Sequence, residues 1–396
     1  MSYLKFYSTN QQIKPISFKK AALSGLAQDG GLFMPVKIPN LTNDFLKTLD
    51  PLEFPEIALK LSKKWLCKDM PNPFLSDITR KAFNFPAPLV QIDENLYILE
   101  LFHGQTLSFK DFGARFMALI MSHLVKNENK KLTILTATSG DTGSAVASAF
   151  FMIPQVQVVV LYPKGKISPM QEEQMTTFGG NITALEINGC FDDCQKIVKQ
   201  TFLDPKLQKK LFLTSANSIN IARLIPQSFY YFNAYTQLKD KNLPIVFSIP
   251  CGNFGNLTGG LLAKKMGLPI HKFIASTNIN NVVPKYLKTG LFQPQHSKST
   301  IANSMDVGNP SNFARILDLY QHNYKKIREH IFGADFSDKQ ICWAIKKVWQ
   351  KYHYLLDPHS AAGYLGLKEY LKQNNQSVNG IVLATAHMID KTSLIN

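Results

Sequence analysis

The sequence predicts an α/β protein built around parallel β-sheet. From about residue 96 onward, short apolar runs alternate with stretches in which apolar residues recur at the helical period. Such alternation is typical of βαβ units, in which a helix connects two parallel strands. A chain of 396 residues suggests roughly two or three domains with a sizeable core, and 45% hydrophobic residues is ordinary for a globular protein.

Several apolar runs are predicted to be strands, and helical patterns follow most of them: 132–137, 156–162, 182–187, 211–214, 245–249, 272–276 and 381–385. Residues 1–95 differ, because prolines interrupt them repeatedly and the clearest helical stretch lies near 55–67. We therefore predict a separate N-terminal region at 1–95 and a core at 96–387. The polar segment 288–310 is either a mobile loop near the functional site or an ordinary surface loop.

The strongly basic composition is compatible with several kinds of partner. A net charge of +16 would suit a protein that binds nucleic acid, an anionic membrane or anionic substrates. The lysines are scattered in short pairs and form no basic stripe with interleaved aromatic residues, so we expect no nucleic-acid binding. We favour a generally basic surface that helps to steer an anionic substrate.

Neither a membrane segment nor a metal site is predicted. No apolar run approaches the roughly 18 residues that a membrane span needs, and the first residues lack the apolar core of a signal peptide. We therefore expect no membrane partner and a cytoplasmic location. The cysteines are odd in number and include no CxxC pair, which fits reduced thiols and indicates no metal: Cys67, Cys190, Cys194, Cys251 and Cys342.

Lys110 is the strongest candidate for chemistry. It lies between Phe109 and Phe112 at a predicted helix start, where Ser108 and Asp111 have capping-box spacing. The positive end of the helix dipole and the apolar neighbours both disfavour an ammonium. They therefore favour the neutral amine that forms a Schiff base. The alternative is a solvated lysine in the first turn of a helix.

A loop with two glycines follows the predicted strand 245–249 and precedes a helix that runs to about Met266. Glycines allow backbone N–H groups to surround an anion, and the helix N-terminus adds a favourable dipole. The motif is neither GxGxxG nor Walker A, and an ordinary tight turn is the alternative. The candidate residues for anion binding are Gly252, Asn253, Phe254, Gly255 and Asn256.

A second loop follows the predicted strand 132–137 and opens a predicted helix at 143–151. Its hydroxyl and amide groups could bind a carboxylate, although the same spacing also fits a capped helix start. The candidate residues are Thr138, Ser139, Gly140, Asp141 and Thr142.

A third candidate group contains Asn217, Ser218 and Arg223. A guanidinium fork suits a phosphate dianion, although Arg223 could instead make a structural ion pair. Arg115, one helical turn beyond Lys110, is a second candidate for the same role. The strand 381–385 ends in the hydroxyl of Thr385, which by itself indicates nothing.

Taken together, these motifs resemble those of the threonine synthases, a family that depends on pyridoxal 5'-phosphate (PLP). The resemblance runs from about Tyr7 to His387 in the family's order and is carried by residues 25–35, 102–113, 135–143, 217–220, 250–256 and 305–307. It implies a fold type II core of two parallel-sheet α/β subdomains with the cofactor between them. It also implies a threonine-synthase N-terminal region before that core.

The resemblance also implies a role for each candidate. Lys110 would carry PLP, the loop from Gly252 to Asn256 would bind its phosphate, and Thr385 would meet its pyridine nitrogen. The loop from Thr138 to Thr142 would bind the substrate carboxylate. Asn217, Ser218 and Arg223 would surround the phosphate of O-phospho-L-homoserine, which the family converts with water to L-threonine and phosphate. The chain would act as a monomer or a homodimer.

The chain departs from the family pattern at its end. The family reads Thr-Ala-His-Pro-Ala-Lys-Phe, whereas here Met388 follows Thr385-Ala386-His387 and the sequence ends at Asn396. Residues 388–396 are therefore predicted to be a divergent short tail. An inactive PLP-binding protein is one alternative for this reason. A serine/threonine dehydratase-like lyase, which forms a 2-oxo acid and needs no phosphate clamp, is the other.

Overall fold

The computed structural model describes residues 4–374 and 376–388. The chain divides into two compact units. The first unit contains the residues up to Phe85 together with Lys110–Phe229, and the second contains Pro86–Phe109 together with the residues from Tyr230 onward. Most of the predicted tail, 389–396, lies outside the described residues.

The strands alternate with helices over most of the chain. In chain order they are β1 (Lys5–Ser8), β2 (Ile16–Ser17), β3 (Phe33–Pro35), β4 (Leu89–Asp93), β5 (Leu96–Glu100), β6 (Leu132–Ala137), β7 (Val156–Pro163), β8 (Ile182–Ile187), β9 (Phe212–Ser215), β10 (Ile245–Pro250), β11 (Ile270–Thr277), β12 (Ile331–Asp335) and β13 (Asn379–Ala384).

The α-helices are numbered in the same way, and short 3₁₀ turns lie at Ile225–Ser228 and Asn303–Met305. The helices are α1 (Phe18–Ser24), α2 (Asn43–Lys47), α3 (Phe54–Leu66), α4 (Asn72–Ala82), α5 (Lys110–Val125), α6 (Asp141–Phe150), α7 (Pro169–Thr176), α8 (Phe191–Leu203), α9 (Pro205–Lys210), α10 (Ile221–Leu224), α11 (Phe229–Gln237), α12 (Gly255–Lys265), α13 (Val282–Thr289), α14 (Phe313–Leu319), α15 (Tyr324–His330), α16 (Asp338–Tyr352) and α17 (Pro358–Gln373).

The first unit contains a four-stranded parallel sheet in the order β8-β7-β6-β9 and a small antiparallel sheet in the order β2-β1-β3. Every residue of β6 is buried. Burial on both faces explains why apolar residues occupy both faces of this strand. Helix α6 begins directly beyond this strand, so the loop between them lies at the carboxyl end of the sheet.

An aromatic cluster packs around α5 in the first unit. The rings of Phe54, Phe83, Phe112, Phe116 and Phe229 pack together, with neighbouring centroids 5.0 to 6.0 Å apart. Such ring pairs contribute about 0.5–1.5 kcal/mol each beyond the area that they bury. The cluster fixes the helix whose first residue is Lys110.

The second unit contains a six-stranded sheet in the order β12-β11-β10-β13-β5-β4. All its strands are parallel except β4, which pairs antiparallel with β5 at the edge. Strands β10 and β13 are neighbours and fully buried. Because β10 and β13 are parallel, the loop after Pro250 and the residues after Ala384 both lie at the carboxyl ends of the strands of this sheet.

Helix α17 packs closely on this sheet through two glycines. A Cβ atom on Gly363 would contact Val382 and one on Gly366 would overlap the side chain of Ser276. The absence of these side chains lets the helix approach the strands closely, which places its N-terminal turn firmly relative to the sheet.

The predicted α/β class is confirmed, and all the predicted strands are present with shifts of one or two residues at some ends. The strand predicted at 381–385 ends at Ala384, so Thr385 lies just beyond it. The helix predicted at 143–151 begins earlier, at Asp141. The predicted boundary after residue 95 falls in the turn between β4 and β5, which belong to one sheet.

The segment 288–310 is irregular between α13 and the 3₁₀ turn, as its turn-rich composition predicts. Its backbone is nevertheless tied to the residues after β11. The N–H of Lys298 donates to Asn280 Oδ1 (2.7 Å), and the side chain of Asn278 donates to Thr300 Oγ1 (2.8 Å). Its predicted mobility stays a prediction.

Candidate active site

Lys110 is the first residue of α5, and its ammonium forms an ion pair with Asp141. Lys110 Nζ lies 2.7 Å from Asp141 Oδ2, and the two side chains are only 15% and 11% exposed. Asp141 begins α6, so two helix N-termini contribute the pair. The residues Phe109 and Phe112 predict apolar surroundings for the Lys110 amine. That prediction is wrong, because Nζ lies against the carboxylate of Asp141.

Gln171 holds the other oxygen of Asp141. Its side-chain amide donates to Asp141 Oδ1 (2.5 Å), and its own oxygen accepts from the N–H of Ser168 (3.0 Å) as part of a capping box at α7. Gly140 has a positive φ of 132°, and a Cβ atom there would overlap Gln171. Gln171 is not among the residues that the sequence analysis selects, and no sequence motif indicates its contact with Asp141.

The loop after β6 is organised by Thr138. Its hydroxyl accepts from the N–H groups of Gly140 (3.0 Å) and Gly143 (2.8 Å) and donates to the carbonyl of Gly140 (2.8 Å). The Thr138 side chain is therefore fully used in shaping the loop. Ser139 and Thr142 are half-buried, and Thr142 has no hydrogen-bond partner for its hydroxyl or N–H among the described residues.

Arg223 is buried at the end of the turn that contains Asn217 and Ser218. One of its guanidinium nitrogens donates to the carbonyl of Ala216. Burial lowers the pKa of Arg223 to about 10, while the nearby Asp111 acts in the opposite direction. Gly113 permits this packing, because a Cβ atom there would press on the Arg223 backbone and side chain.

Two asparagines hold this turn in place. Asn217 pairs with the backbone of Ala137, donating to its carbonyl (2.7 Å) and accepting from its N–H (3.2 Å), so it joins the turn to the end of β6. Asn220, which sequence reasoning did not select, is fully buried and donates to the carbonyls of Ala22 (2.8 Å) and Ser215 (2.9 Å).

Arg115 has other partners. Its guanidinium donates to the Lys81 carbonyl (2.6 Å) and to Asn84 Oδ1 (2.8 Å), and it lies 5.4 Å from the centre of the Phe85 ring. These contacts attach α5 to the residues after α4. No hydrogen bond joins Arg115 to another candidate residue in the described ranges.

The glycine loop of the second unit fits an anion. Phe254 has a positive φ of 61°, and α12 begins at Gly255 without a side-chain cap. Phe254, Gly255 and Asn256 are buried, yet their N–H groups have no acceptor among the described residues. They are the first N–H groups of α12, which have no acceptor within the helix, and a helix N-terminus of this kind favours an anion such as a phosphate.

Asparagines and a tyrosine fix the shape of this loop. Asn256 donates to the Pro250 carbonyl (2.8 Å) and accepts from the N–H of Leu257 (2.9 Å). The Tyr231 hydroxyl donates to the carbonyl of Asn256 (2.8 Å). Asn253 accepts from the Ser311 N–H (2.5 Å).

A buried arginine lies behind the loop. Asn312 donates to the carbonyl of Asn253 (3.0 Å) and accepts from Arg315 (2.7 Å). Arg315 is completely buried, and burial lowers its pKa to about 9. The positive charge of Arg315 lies behind the glycine loop and favours the binding of an anion there. The sequence carries no motif that would have identified these residues.

Thr385 follows β13 directly and is buried. Its hydroxyl has no hydrogen-bond partner in the described part of the chain, so it is available to a ligand. Its carbonyl accepts from the N–H of Phe109 (2.9 Å), and the N–H of His387 donates to Leu107 (3.0 Å). The residue immediately before Lys110 is therefore held by the backbone of Thr385.

Comparison with known proteins decides the family. The family model described as "Threonine synthase N terminus" matches residues 5–83, and that described as "Pyridoxal-phosphate dependent enzyme" matches residues 82–385. A threonine synthase of Buchnera aphidicola subsp. Baizongia pistaciae is 46% identical over 388 residues, covering 97% of this chain and 89% of the relative. The chain belongs to the threonine synthase family. As a member of this family it is a PLP-dependent lyase that acts on a small-molecule substrate.

Solved structures agree with this assignment. The threonine synthase of Escherichia coli has a TM-score of 0.91 at 42% identity, covering 97% of this chain and 88% of that chain. A PLP-bound threonine synthase of Brucella melitensis has a TM-score of 0.91 at 34% identity, with 99% and 90% coverage. A threonine deaminase of Solanum lycopersicum shares only the fold, with a TM-score of 0.62 at 19% identity.

Among the described residues, no helix is long and apolar enough to cross a membrane. Within the same part of the chain, no group of three or more His, Cys, Asp or Glu side chains could hold a metal ion.

Proposed function

We propose that this chain converts O-phospho-L-homoserine and water to L-threonine and phosphate, with Lys110 as the residue that carries PLP. The observation that supports the assignment of Lys110 is its position at the start of α5 with its Nζ 2.7 Å from the half-buried carboxylate of Asp141. Bound PLP supplies the electron-accepting ring that stabilises negative charge on the substrate carbons. The protein's part is to bind, to orient and to move protons.

Lys110 Nζ is the proposed base that removes the proton from the α-carbon and later returns it. Asp141 keeps this amine in place, and Gln171 keeps Asp141 in place, so the proton-transferring atom has little freedom to move. Accurate placement of a reacting group is a large part of enzymatic rate enhancement.

The cofactor would be held mainly by the second unit. The N–H groups of Phe254, Gly255 and Asn256 are the proposed donors to the PLP phosphate, and Gly252 and Asn253 complete the loop. The Thr385 hydroxyl is the proposed partner of the pyridine nitrogen. A neutral hydroxyl at that position holds the ring without favouring the pyridinium, unlike a carboxylate.

The substrate would be held mainly by the first unit. Ser139 and Thr142 are the proposed ligands of its carboxylate, on a loop that the hydrogen bonds between Thr138 and Gly140 shape. The Asp141 side chain would repel a carboxylate, so we assign it to Lys110 instead. Ser218 and Arg223, with Asn217 bracing their turn, are the proposed ligands of the leaving phosphate. Arg115 is assigned to structural support.

One assay tests the reaction against its rivals. The purified chain is incubated with PLP and O-phospho-L-homoserine, and threonine, phosphate and 2-oxobutyrate are measured. We expect threonine and phosphate in equal amounts. Formation of 2-oxobutyrate instead would favour a dehydratase, and no product from PLP-loaded protein would favour an inactive PLP-binding protein.

The carrier lysine is tested separately by reduction. Borohydride treatment of PLP-loaded protein should attach the cofactor to a single peptide that contains Lys110. Recovery of the label on another peptide would contradict the assignment. We also propose a cytoplasmic location, which cell fractionation tests. We propose a monomeric or homodimeric state, which light scattering tests.

A further inference from the structure

A buried Asp-His pair lies at the start of α17 in the second unit. Asp357 caps the helix, accepting from the N–H groups of His359 (3.0 Å) and Ser360 (3.0 Å). Its Oδ2 lies 2.5 Å from His359 Nδ1. Both residues are buried, at 4% and 6% exposure. Nothing in the proposed chemistry uses either residue.

The second ring nitrogen of His359 has a backbone partner. The N–H of Ser304 donates to His359 Nε2 over 3.2 Å, although 55 residues separate the two in the chain. A backbone N–H can only donate, so Nε2 carries no proton and the ring proton lies on Nδ1, facing Asp357. Asp357 therefore fixes the tautomer that lets His359 accept from Ser304.

Ser304 belongs to the 3₁₀ turn Asn303–Met305, which packs on the glycine loop. A Cβ atom on Gly252 would overlap the Ser304 carbonyl oxygen and lie 3.1 Å from Met305 Cα. The backbone of the turn therefore rests directly on the backbone of Gly252. A shift of the turn would move the loop whose N–H groups face the proposed phosphate.

We propose that His359, oriented by Asp357, is a positioning residue for the phosphate-binding loop. Its Nε2 anchors the turn at Ser304, and the turn holds Gly252 and the following residues in the shape that receives a phosphate. This inference rests on the proposed role of the loop in binding the PLP phosphate.

Two substitutions separate the two nitrogens of the ring. His359→Asn keeps a donor near the Nδ1 position but has no acceptor that reaches Ser304. His359→Gln keeps an acceptor near the Nε2 position but loses the donor to Asp357. His353→Asn is the matched control, because His353 is exposed on the same unit and has a positive φ of 51° that asparagine tolerates.

The readout is the affinity of the PLP-free full chain for PLP and for pyridoxal, which lacks the phosphate. We expect His359→Asn to weaken PLP binding about five- to tenfold, the usual effect of one hydrogen bond, and to leave pyridoxal binding unchanged. His359→Gln should keep the ratio of the two affinities within about twofold of the wild type, because it retains the acceptor. His353→Asn should change neither affinity.

The outcomes distinguish this inference from the proposal on which it rests. Unchanged PLP affinity in His359→Asn, or an equal loss for PLP and pyridoxal, would overturn the positioning role. A wild-type protein that binds pyridoxal as tightly as PLP would instead refute the phosphate role of the loop. If His359→Asn does not fold, a selective loss of PLP affinity in His359→Gln would overturn the inference.

Discussion

The backbone N–H of Phe109 donates to the carbonyl oxygen of Thr385 over 2.9 Å. Phe109 immediately precedes Lys110, and Thr385 immediately follows β13. Leu107 accepts from His387, so the two segments are joined on both sides of this bond. The residue proposed to meet the pyridine nitrogen thus also fixes the segment that delivers the proposed carrier lysine.

The two functions of Thr385 can be separated by substitution. Thr385→Val removes the hydroxyl but keeps the backbone carbonyl that holds Phe109. We expect kcat to fall about fivefold or more, since one hydrogen bond is worth about 1 kcal/mol, while the melting temperature changes little. Thr385→Ser, the matched control, should retain most of the activity. A valine variant with normal kcat would show that the hydroxyl does not meet the cofactor.

Asp141→Asn tests the partner of Lys110. The substitution preserves size but removes the negative charge that holds Nζ. A charge-assisted hydrogen bond contributes about 1.5–3 kcal/mol, so we expect kcat/KM to fall by about one to two orders of magnitude. Asp77→Asn is the control, because Asp77 makes an exposed ion pair with Lys81 at 2.8 Å, and such pairs contribute little. Equal activities for the two variants would contradict the assigned role of Asp141.

Arg223→Lys tests the phosphate clamp. Lysine keeps a positive charge but loses the planar fork that binds a phosphate in a bidentate manner. We expect KM for O-phospho-L-homoserine to rise about tenfold with PLP affinity nearly unchanged. Steady-state kinetics and a PLP titration measure the two quantities. Loss of PLP binding with normal substrate kinetics at saturating PLP would refute the substrate role.

The same substitution at Arg115 tests the second candidate. Because its donors are bound to Lys81 and Asn84, Arg115→Lys should lower the melting temperature and leave KM unaltered. An increase in KM comparable to that of Arg223→Lys would restore Arg115 as a ligand of the substrate phosphate.

Gly255→Asp tests whether the glycine loop binds the PLP phosphate. An aspartate at the start of α12 places negative charge where the phosphate must approach, and juxtaposed like charges cost several kcal/mol. We expect PLP affinity to fall by about a hundredfold or more while the circular dichroism spectrum is retained. Gly165→Asp is the control for an added aspartate, because a side chain at Gly165 would meet no atom within 4 Å and aspartate is among the residues that best tolerate its positive φ of 61°. Normal PLP binding by a folded Gly255→Asp variant would give the loop another role.

The sequence by itself determined the α/β class, part of the secondary structure and the family. The strand β6 was predicted at its observed bounds because apolar residues occupy both of its faces, which is typical of a buried strand. The strand β8 also has the predicted bounds, although most of its residues are exposed or half-buried. The helix start near Lys110 was predicted from the capping-box spacing of Ser108 and Asp111, and α5 begins at Lys110. These are local properties, and neighbouring residues suffice to express them.

Only the tertiary structure decided the partners of the functional groups. Lys110 and Asp141, which form an ion pair, are 31 residues apart. Arg115 forms hydrogen bonds with Lys81 and Asn84 and none with another candidate residue in the described part of the chain. No sequence pattern predicts the contacts that Gln171, Arg315 and His359 make. Which side chains meet depends on how helices pack on the sheets over long chain separations, and local periodicity holds no information about that packing.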